Sequence, residues 1–418
     1  MRALVRQWMK LLLAISLAVH SVVALSYDEL DFTQAIDLSF EIPRDSRLNA
    51  HATISRVEPP LPKRNGLFGR AVAMSGAVLA IGSFQDNGQV YIFERQDDHP
   101  DALWRYVQTL DSQGQAWDFG RTLAMSQFTS SSRIVVGAPG DSRGSSSAVF
   151  IFERNATGLW DLAWTLGPSN ASESFFGSSL AVGENVLAVA SVLNDEFVVR
   201  TYEFSNGNLV QMGRLKPSQP ILHSDQDVVV GPNDNIVVVG DPARQPGNGA
   251  VVVFRRSSAK KDVFHESSVL LNPSEANALR FGGTLGINHA RVAVSGVDFN
   301  AWRKDQGQVF VYNSTTNETL KLDHTVHIGM PPNDKFGFKP LLLADNTLVV
   351  SAPFASNKSD SVYIFNPVGA SQKIYQLGSD VWAGPILAAT ESRLAVGSPF
   401  DGANWTGAAF LLNWDTFE

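Results

Sequence analysis

The chain contains no cysteine in 418 residues. Disulfides, thiolate nucleophiles and cysteine-based zinc sites are therefore excluded. Positive charge is scarce: 33 lysines and arginines stand against 41 aspartates and glutamates, for a formal net charge of −8. An acidic chain repels phosphate backbones, so nucleic acid is not an expected partner. Beyond the first 25 residues there is no apolar run long enough to cross a membrane as a helix. There is also no sustained stripe at helical spacing, which leaves an all-β chain. The eight histidines show no H-x-x-x-H spacing and no common face, so they read as solvated or core residues rather than metal ligands. No metal and no cofactor is expected.

The N-terminus differs in character from the rest. Arg2, Arg6 and Lys10 precede an apolar run at 11–19, and Val22 and Ala24 occupy the −3 and −1 positions of a cleavage site. This is the build of a secretory signal peptide over 1–24. Residues 11–25 contain His20 and are short for a bilayer span, which favours cleavage over retention as an anchor. Cleavage would remove three positive charges and leave a net charge of about −11. The mature protein is expected to be secreted and soluble, with 25–49 as a leading segment. Six N-x-[ST] sequons, at Asn155, Asn170, Asn313, Asn317, Asn357 and Asn404, agree with the secretory route. A secreted chain can omit disulfides when its core is large.

What is abundant is repetition. A short apolar strand ending in a small residue recurs at 78–82, 134–137, 186–190, 236–240, 292–295, 348–351 and 394–397. The terminal small residues are 55, 53, 50, 55, 56 and 46 positions apart. Each is followed, after a polar loop, by a β-branched and aromatic strand such as Val90-Tyr91-Ile92-Phe93 or Val251-Val252-Val253-Phe254. Upstream, Phe68-Gly69, Phe119-Gly120, Phe176-Gly177, Phe281-Gly282 and Phe336-Gly337 each open a further strand, and outer strands such as 104–110 and 160–166 end the units. Four short strands in about 50 residues, seven times over, predict a seven-bladed β-propeller over 50–418. The seventh unit lacks an outer strand, and residues 50–57 lack a partner. The N-terminal strand is therefore expected to complete the last blade and leave no open blade edge.

Phe-Gly, then a strand into Gly137-Ala138-Pro139, then Gly-x-Val-Tyr-Ile-Phe resembles the FG-GAP repeat of integrin alpha-chain propellers. Gly240-Asp241-Pro242, Ser351-Ala352-Pro353 and Gly397-Ser398-Pro399 are near matches. Units four and seven depart, with Ser224-Asp225 and Trp382-Ala383 where Phe-Gly would fall, and unit three lacks Gly-Ala-Pro. The resemblance implies calcium-binding hairpins with alternating carboxylates. Here the corresponding hairpins, such as Gly183-Glu184-Asn185 and Asn233-Asp234-Asn235, are too short and too poor in acids. The family's calcium sites are not carried over.

Gly140-Asp141-Ser142-Arg143-Gly144 has the spacing of a hydrolase nucleophile elbow, but the following residues read as a strand where the elbow needs a helix. No catalytic residue is assigned. The resemblance places the loops at 241–249, 296–307 and 398–407 on one recognition face. On it Arg244, Phe299, Trp302, Arg303 and Lys304 offer Trp and Arg chemistry typical of binding anchors; alternatively Trp302 fills space between blades. Asn170, Asn357 and Asn404 fall on that face. Asn155, Asn313 and Asn317 are expected in loops of the opposite one. The function expected is a monomeric extracellular recognition or adhesion module for a protein or glycan. The alternatives are a secreted polysaccharide hydrolase or lyase, and a lectin.

Overall fold

The computed structural model describes residues 54–413 apart from 84–86, 96–103, 127–132, 141–146, 223–225, 245–247, 258–262, 274–279, 290, 298–306, 316–318, 328–335, 354–360, 367–371, 377–385, 391–392 and 403. The chain divides into two compact units, Met1–Leu38 and Ser39–Glu418, and every described residue belongs to the second. The expected signal peptide and leading segment lie outside the described residues.

The second unit is a seven-bladed β-propeller, with seven antiparallel sheets. Six have four strands. In order from the channel outward, blade 1 is Ala71–Ser75, Val78–Ser83, Gln89–Arg95 and Trp104–Leu110. Blade 2 is Thr122–Ala124, Arg133–Ala138, Ala148–Arg154 and Trp160–Leu166, and blade 4 is Val228–Val230, Ile236–Asp241, Ala250–Arg256 and Phe264–Leu271. Blade 5 is Phe281–Ile287, Arg291–Gly296, Gln308–Ser314 and Leu320–Val326; blade 6 is Pro340–Leu342, Leu348–Ala352, Ser361–Phe365 and Gln372–Gln376. Blade 3 departs from the pattern. Its inner edge is split into Glu173–Ser174 and Leu180–Val182, its middle strands are Val186–Leu193 and Glu196–Ser205, and Ile221–Leu222 supplements the outer Asn208–Arg214. The one helical turn among the described residues is Pro232–Asp234.

Blade 7 closes the ring as the sequence predicts. Leu387–Thr390, Arg393–Ser398 and Ala408–Asn413 take their outer strand from Ile54–Val57, in register from Ile54 opposite Leu412 to Val57 opposite Ala409.

The core is seven cores. One side of each sheet packs on the preceding blade and the other on the following one, so strand residues are buried on both faces, as in Val78–Ser83. Each junction has its own apolar cluster. Ile92 meets Phe150 between blades 1 and 2, Val199 meets Val252 between blades 3 and 4, and Val72 meets Leu411 where blade 7 meets blade 1. The phenylalanine of each described Phe-Gly pair is its keystone. Phe68, Phe119, Phe176, Phe281 and Phe336 are wholly buried or nearly so. Phe119, for instance, stands edge-on to Phe150 and Phe152 at 5.3 and 6.1 Å.

The glycines mark where successive blades touch. A Cβ on Gly82, Gly137, Gly240 or Gly397 would lie 1.9–2.6 Å from the carbonyl oxygen of the Phe-Gly glycine in the next blade. The small residue is thus the footprint of the neighbour's Phe-Gly turn. Ala190 and Ser351 stand at this position in blades 3 and 6, which precede the two blades without Phe-Gly. Ser295 in blade 5 is the exception, and its Oγ accepts the Thr284 N–H at 2.9 Å.

Candidate ligand-binding face and channel mouth

Strand direction fixes two faces. Inner strands begin, and outer strands end, on the face that also carries the loops between second and third strands. On that face each Phe-Gly sits in a tight turn. The Arg70, Arg121 and Ser178 N–H groups donate to the carbonyls of Leu67, Asp118 and Phe175 at 3.1, 3.1 and 3.0 Å. Those carbonyl residues are left-handed, with φ of 52°, 60° and 52°. Asp tolerates this easily, Leu and Phe less so. The turn delivers the residue after Phe-Gly to the rim of the central channel, and in blades 1 and 2 that residue is arginine.

The inner strands of all seven blades line one cavity of about 740 Å³, a volume in the range of small-ligand sites. Its wall is mostly small and apolar, with Ala73, Leu123, Val182, Val230 and Leu387 among its residues. Its charged groups are at the Phe-Gly end: Arg70, Arg121, Asp227 and Lys339. Asp227 is the one carboxylate among the described lining residues, and it ties four blades together. Its Oδ1 accepts the Ser179 hydroxyl at 3.4 Å and the Val228 N–H at 3.1 Å. Its Oδ2 accepts the Leu285 N–H at 3.0 Å and pairs with the Lys339 ammonium. Thr122 and Thr284 continue the lacing, donating to the Gly177 and Phe338 carbonyls at 2.6 and 2.7 Å. The arginine side is built differently. Arg121 is partly exposed and pairs with Asp118 at 3.0 Å. Burial, and then the neighbouring charge of Arg121, lower the pKa of Arg70.

The same face carries exposed aromatics. Trp117 precedes the second Phe-Gly and is 59% exposed; Phe400 and Trp405, 41% and 54% exposed, stand edge-on at 6.0 Å in the blade 7 loop. That loop runs beside the approach to blade 1, with the Asn65, Leu67 and Phe68 N–H groups donating to the Asn404, Trp405 and Thr406 carbonyls. Asn404 and Trp405 are both left-handed, at φ 62° and 53°, a costly state for a tryptophan.

Of the residues the sequence offers as ligand anchors, Arg244 lies in a turn after the second strand of blade 4. Its Nε donates to Asp241 at 2.6 Å, and both side chains are more than nine-tenths buried. Burial raises the Asp241 pKa, and Arg244 pulls the other way. Arg244 is thus held inside the loop. Phe299, Trp302, Arg303 and Lys304 lie outside the described residues, as do Asn317 and Asn357. Asn170 is in an exposed turn of the face that bears the Phe-Gly turns, and Asn155 in one of the opposite face. Asn313 is not in a loop: it sits inside Gln308–Ser314, opposite Arg291 and Lys321, because the Val309–Tyr312 alternation simply runs on through it. The Gly140–Gly144 motif joins two strands of one sheet, Arg133–Ala138 and Ala148–Arg154, so its context is not that of a nucleophile elbow.

Sequence reasoning missed Arg70, Arg121, Asp227 and Lys339. The available signal was the tripeptide Phe-Gly-Arg, which occurs in units one and two at the same phase. It also missed a buried network in blade 3. Arg200 donates through Nε and Nη2 to Glu173 at 3.0 and 2.7 Å. Ser191 and Ser169 hydroxyls and the Ser169 N–H complete the carboxylate at 2.6, 2.9 and 2.7 Å. Burial alone would push the Glu173 carboxyl up. The Arg200, Ser191 and Ser169 bonds outweigh it and bring the carboxyl down to about 2. On the opposite face, the acids of the tight hairpins serve the backbone. Asp234 accepts the Glu184, Asn185 and Val186 N–H groups at 2.9, 2.7 and 3.0 Å, pinning blade 3 to blade 4.

The class defined by this architecture is a closed seven-bladed β-propeller. No family model matches the chain, and no curated protein matches it either. Among solved structures it is similar to the β-propeller domain of the Trilobed protease from Pyrococcus furiosus (10% identity, 83% of this chain and 92% of that one, TM-score 0.49). It is also similar to a protein from Lactobacillus plantarum (13%, 74% and 84%, TM-score 0.48) and to a prolyl endopeptidase (13%, 81% and 48%, TM-score 0.49). The propeller assignment itself rests on the seven sheets and seven cores described above.

Proposed function

We propose that the protein is a secreted recognition module of the FG-GAP type, binding an extracellular protein or glycan through the face that bears the Phe-Gly turns. The observation that carries this reading is the exposed Phe400–Trp405 pair on that face, in which Trp405 sits on left-handed backbone. Solvent-exposed aromatics on strained backbone are the kind of feature that binding retains, because truncating such anchors often costs about 2 kcal/mol or more of affinity. The integrin-like repeat phase and the sequon at Asn404 are consistent with an extracellular setting, and the polar lacing of Asp227 leaves it serving the fold rather than proton transfer. The test is a protein and glycan array probed with the purified chain, followed by Trp405→Ala and Trp302→Ala. Loss of binding in Trp405→Ala at unchanged melting temperature places the contact on blade 7, and loss in Trp302→Ala places it on blades 4 and 5. If both variants bind every captured ligand as the parent does, the proposed face is wrong.

A further inference from the structure

We propose that Asn404 is an N-glycosylation site whose first sugar covers the Trp405 ring, so that the glycan shields the blade 7 contact from other ligands. The proposal rests on the secretory reading and on that of the Phe400–Trp405 pair as an anchor, and it supplies a regulation for that anchor.

The sequon Asn404-Trp405-Thr406 contains one of the two exposed aromatics. Asn404 is itself exposed, and its carbonyl accepts the Asn65 N–H at 2.7 Å. Its side-chain amide has no partner among the described residues, so a sugar on Nδ2 displaces no bond. The other described sequons are committed to the fold. At Asn155, Oδ1 accepts the Thr157 and Leu159 N–H groups at 2.9 and 3.0 Å, and Nδ2 donates to Asp161 at 2.9 Å. Asn170 Oδ1 accepts the Ser172 N–H at 2.9 Å, and Asn313 lies within a strand with its Oδ1 buried. A glycan is bulky and solvating, so a fold accommodates it where the attachment point is solvated and free. Asn404 meets both conditions.

The turn holds the attachment point and the ring as fixed neighbours. Asn404 and Trp405 are consecutive left-handed residues, at φ 62° and 53°. The Trp405 and Gly407 N–H groups donate to the Gly402 and Asp401 carbonyls at 3.2 and 2.9 Å, and the Leu67 N–H donates to the Trp405 carbonyl at 3.2 Å. Phe400 stands edge-on to Trp405 at 85°, which makes a two-walled corner beside the amide. A pyranose presents C–H groups on one face, and laying them on an aromatic ring removes apolar area of both from water. In the attachment itself, Asn404 Nδ2 forms the bond to C1 of the sugar. The bond from C1 to the phosphate oxygen of a pyrophosphate-linked oligosaccharide donor breaks, that oxygen keeps the electron pair, and one amide proton passes to a base of the transferase.

The experiment is secretion of the full chain from a glycosylating eukaryotic host. Peptide mass spectrometry then reads sugar on Asn404 and oxidation of Trp405 by N-bromosuccinimide. Asn404 should be occupied, and Trp405 should oxidise about fivefold more slowly in the occupied protein than in Thr406→Val, which removes the sequon and keeps the side chain's shape. Trp117, exposed on the same face, should oxidise equally in both. Trimming the glycan to a single N-acetylglucosamine should keep most of the protection, because the first sugar does the covering. Asn404→Gln should behave as Thr406→Val does, so if one variant does not fold the other decides. An unoccupied Asn404, equal oxidation of Trp405 with and without the glycan, or protection lost on trimming overturns the proposal. On the array, Thr406→Val should bind Trp405-dependent ligands about tenfold more strongly than the occupied protein, and equal binding also overturns it. Occupancy and protection are read without a ligand. An array with no Trp405-dependent binding therefore sinks the outer-face reading alone, and an unprotected Trp405 sinks this one alone.

Discussion

Replacing Glu173 by glutamine keeps its shape and removes its charge, while the Arg200 guanidinium stays buried against it. A carboxyl carried from its ordinary 4.5 down to about 2 contributes roughly 3 kcal/mol to the folded state at neutral pH. Because the folded protein favours the ionised form, the contribution is complete above about pH 5. It falls as the unfolded chain begins to take up a proton below 4.5, and is gone once pH drops through about 2. At pH 3 some 2 kcal/mol of it should already be lost. Urea unfolding of parent and Glu173→Gln at pH 7 and pH 3 measures this directly. Other carboxylates titrate in both proteins and cancel in the comparison. The variant should be less stable than the parent by about 3 kcal/mol or more at pH 7, since an unpaired buried guanidinium adds its own cost. The gap should narrow by about 2 kcal/mol at pH 3. Adding Arg200→Met to the variant should restore part of the loss, because a buried charge pair replaced by apolar groups is often tolerated. A gap that is small at pH 7, or the same at both pH values, would refute the reasoning.

Three further outcomes follow from the geometry. Gly240→Ala should destabilise by about 1–3 kcal/mol, since its Cβ would fall 1.9 Å from the Gly282 carbonyl oxygen and force two blades apart; Gly167→Ala, with open space around it, should not change the melting temperature. Deleting residues 50–57 should lower the melting temperature far more than deleting residues 28–45, because only the former exposes the edge of Ala408–Asn413; equal effects would contradict the closure. Asp234→Asn should cost about 1–3 kcal/mol in denaturant unfolding, as it turns one of the two oxygens that together accept three backbone N–H groups into a donor. EDTA, in contrast, should leave the melting temperature of the parent unchanged, and a clear drop would reopen the question of calcium in these hairpins.

The blade count and the closing strand were legible because both are matters of phase. Seven apolar strands with terminal small residues predict seven sheets, and an unpartnered strand at one end with a missing one at the other predicts the pairing seen between Ile54–Val57 and Ala408–Asn413. The split inner edge of blade 3 was not legible. Glu173–Ser174 pairs with the end of Val186–Leu193 and is tied there by Arg200, 27 residues on, and by Ser191, and a short-range pattern carries no trace of such bonds. The channel mouth was missed for a related reason. Arg70 and Arg121 are 51 positions apart and look like ordinary surface residues until the ring places successive turns side by side. Attention to loops favoured Arg244, whose availability depends on Asp241 three residues earlier. That is close enough in sequence to have raised the question of an internal ion pair.

The closing strand also sets a problem of timing. Ile54 and Leu412 are partners yet lie some 350 residues apart, so this pairing has the highest loop-closure cost of any in the propeller and must form among the last. Until then Ala408–Asn413, a run of Ala-Ala-Phe-Leu-Leu-Asn, offers unsatisfied backbone groups along an apolar edge, which is a template for another copy of the same chain. The four-residue strand that completes the last blade thus acts as an intramolecular competitor for self-association. Aggregation on refolding should therefore depend on how quickly the N-terminal segment reaches that edge, and its yield should fall with protein concentration even where the finished ring is stable.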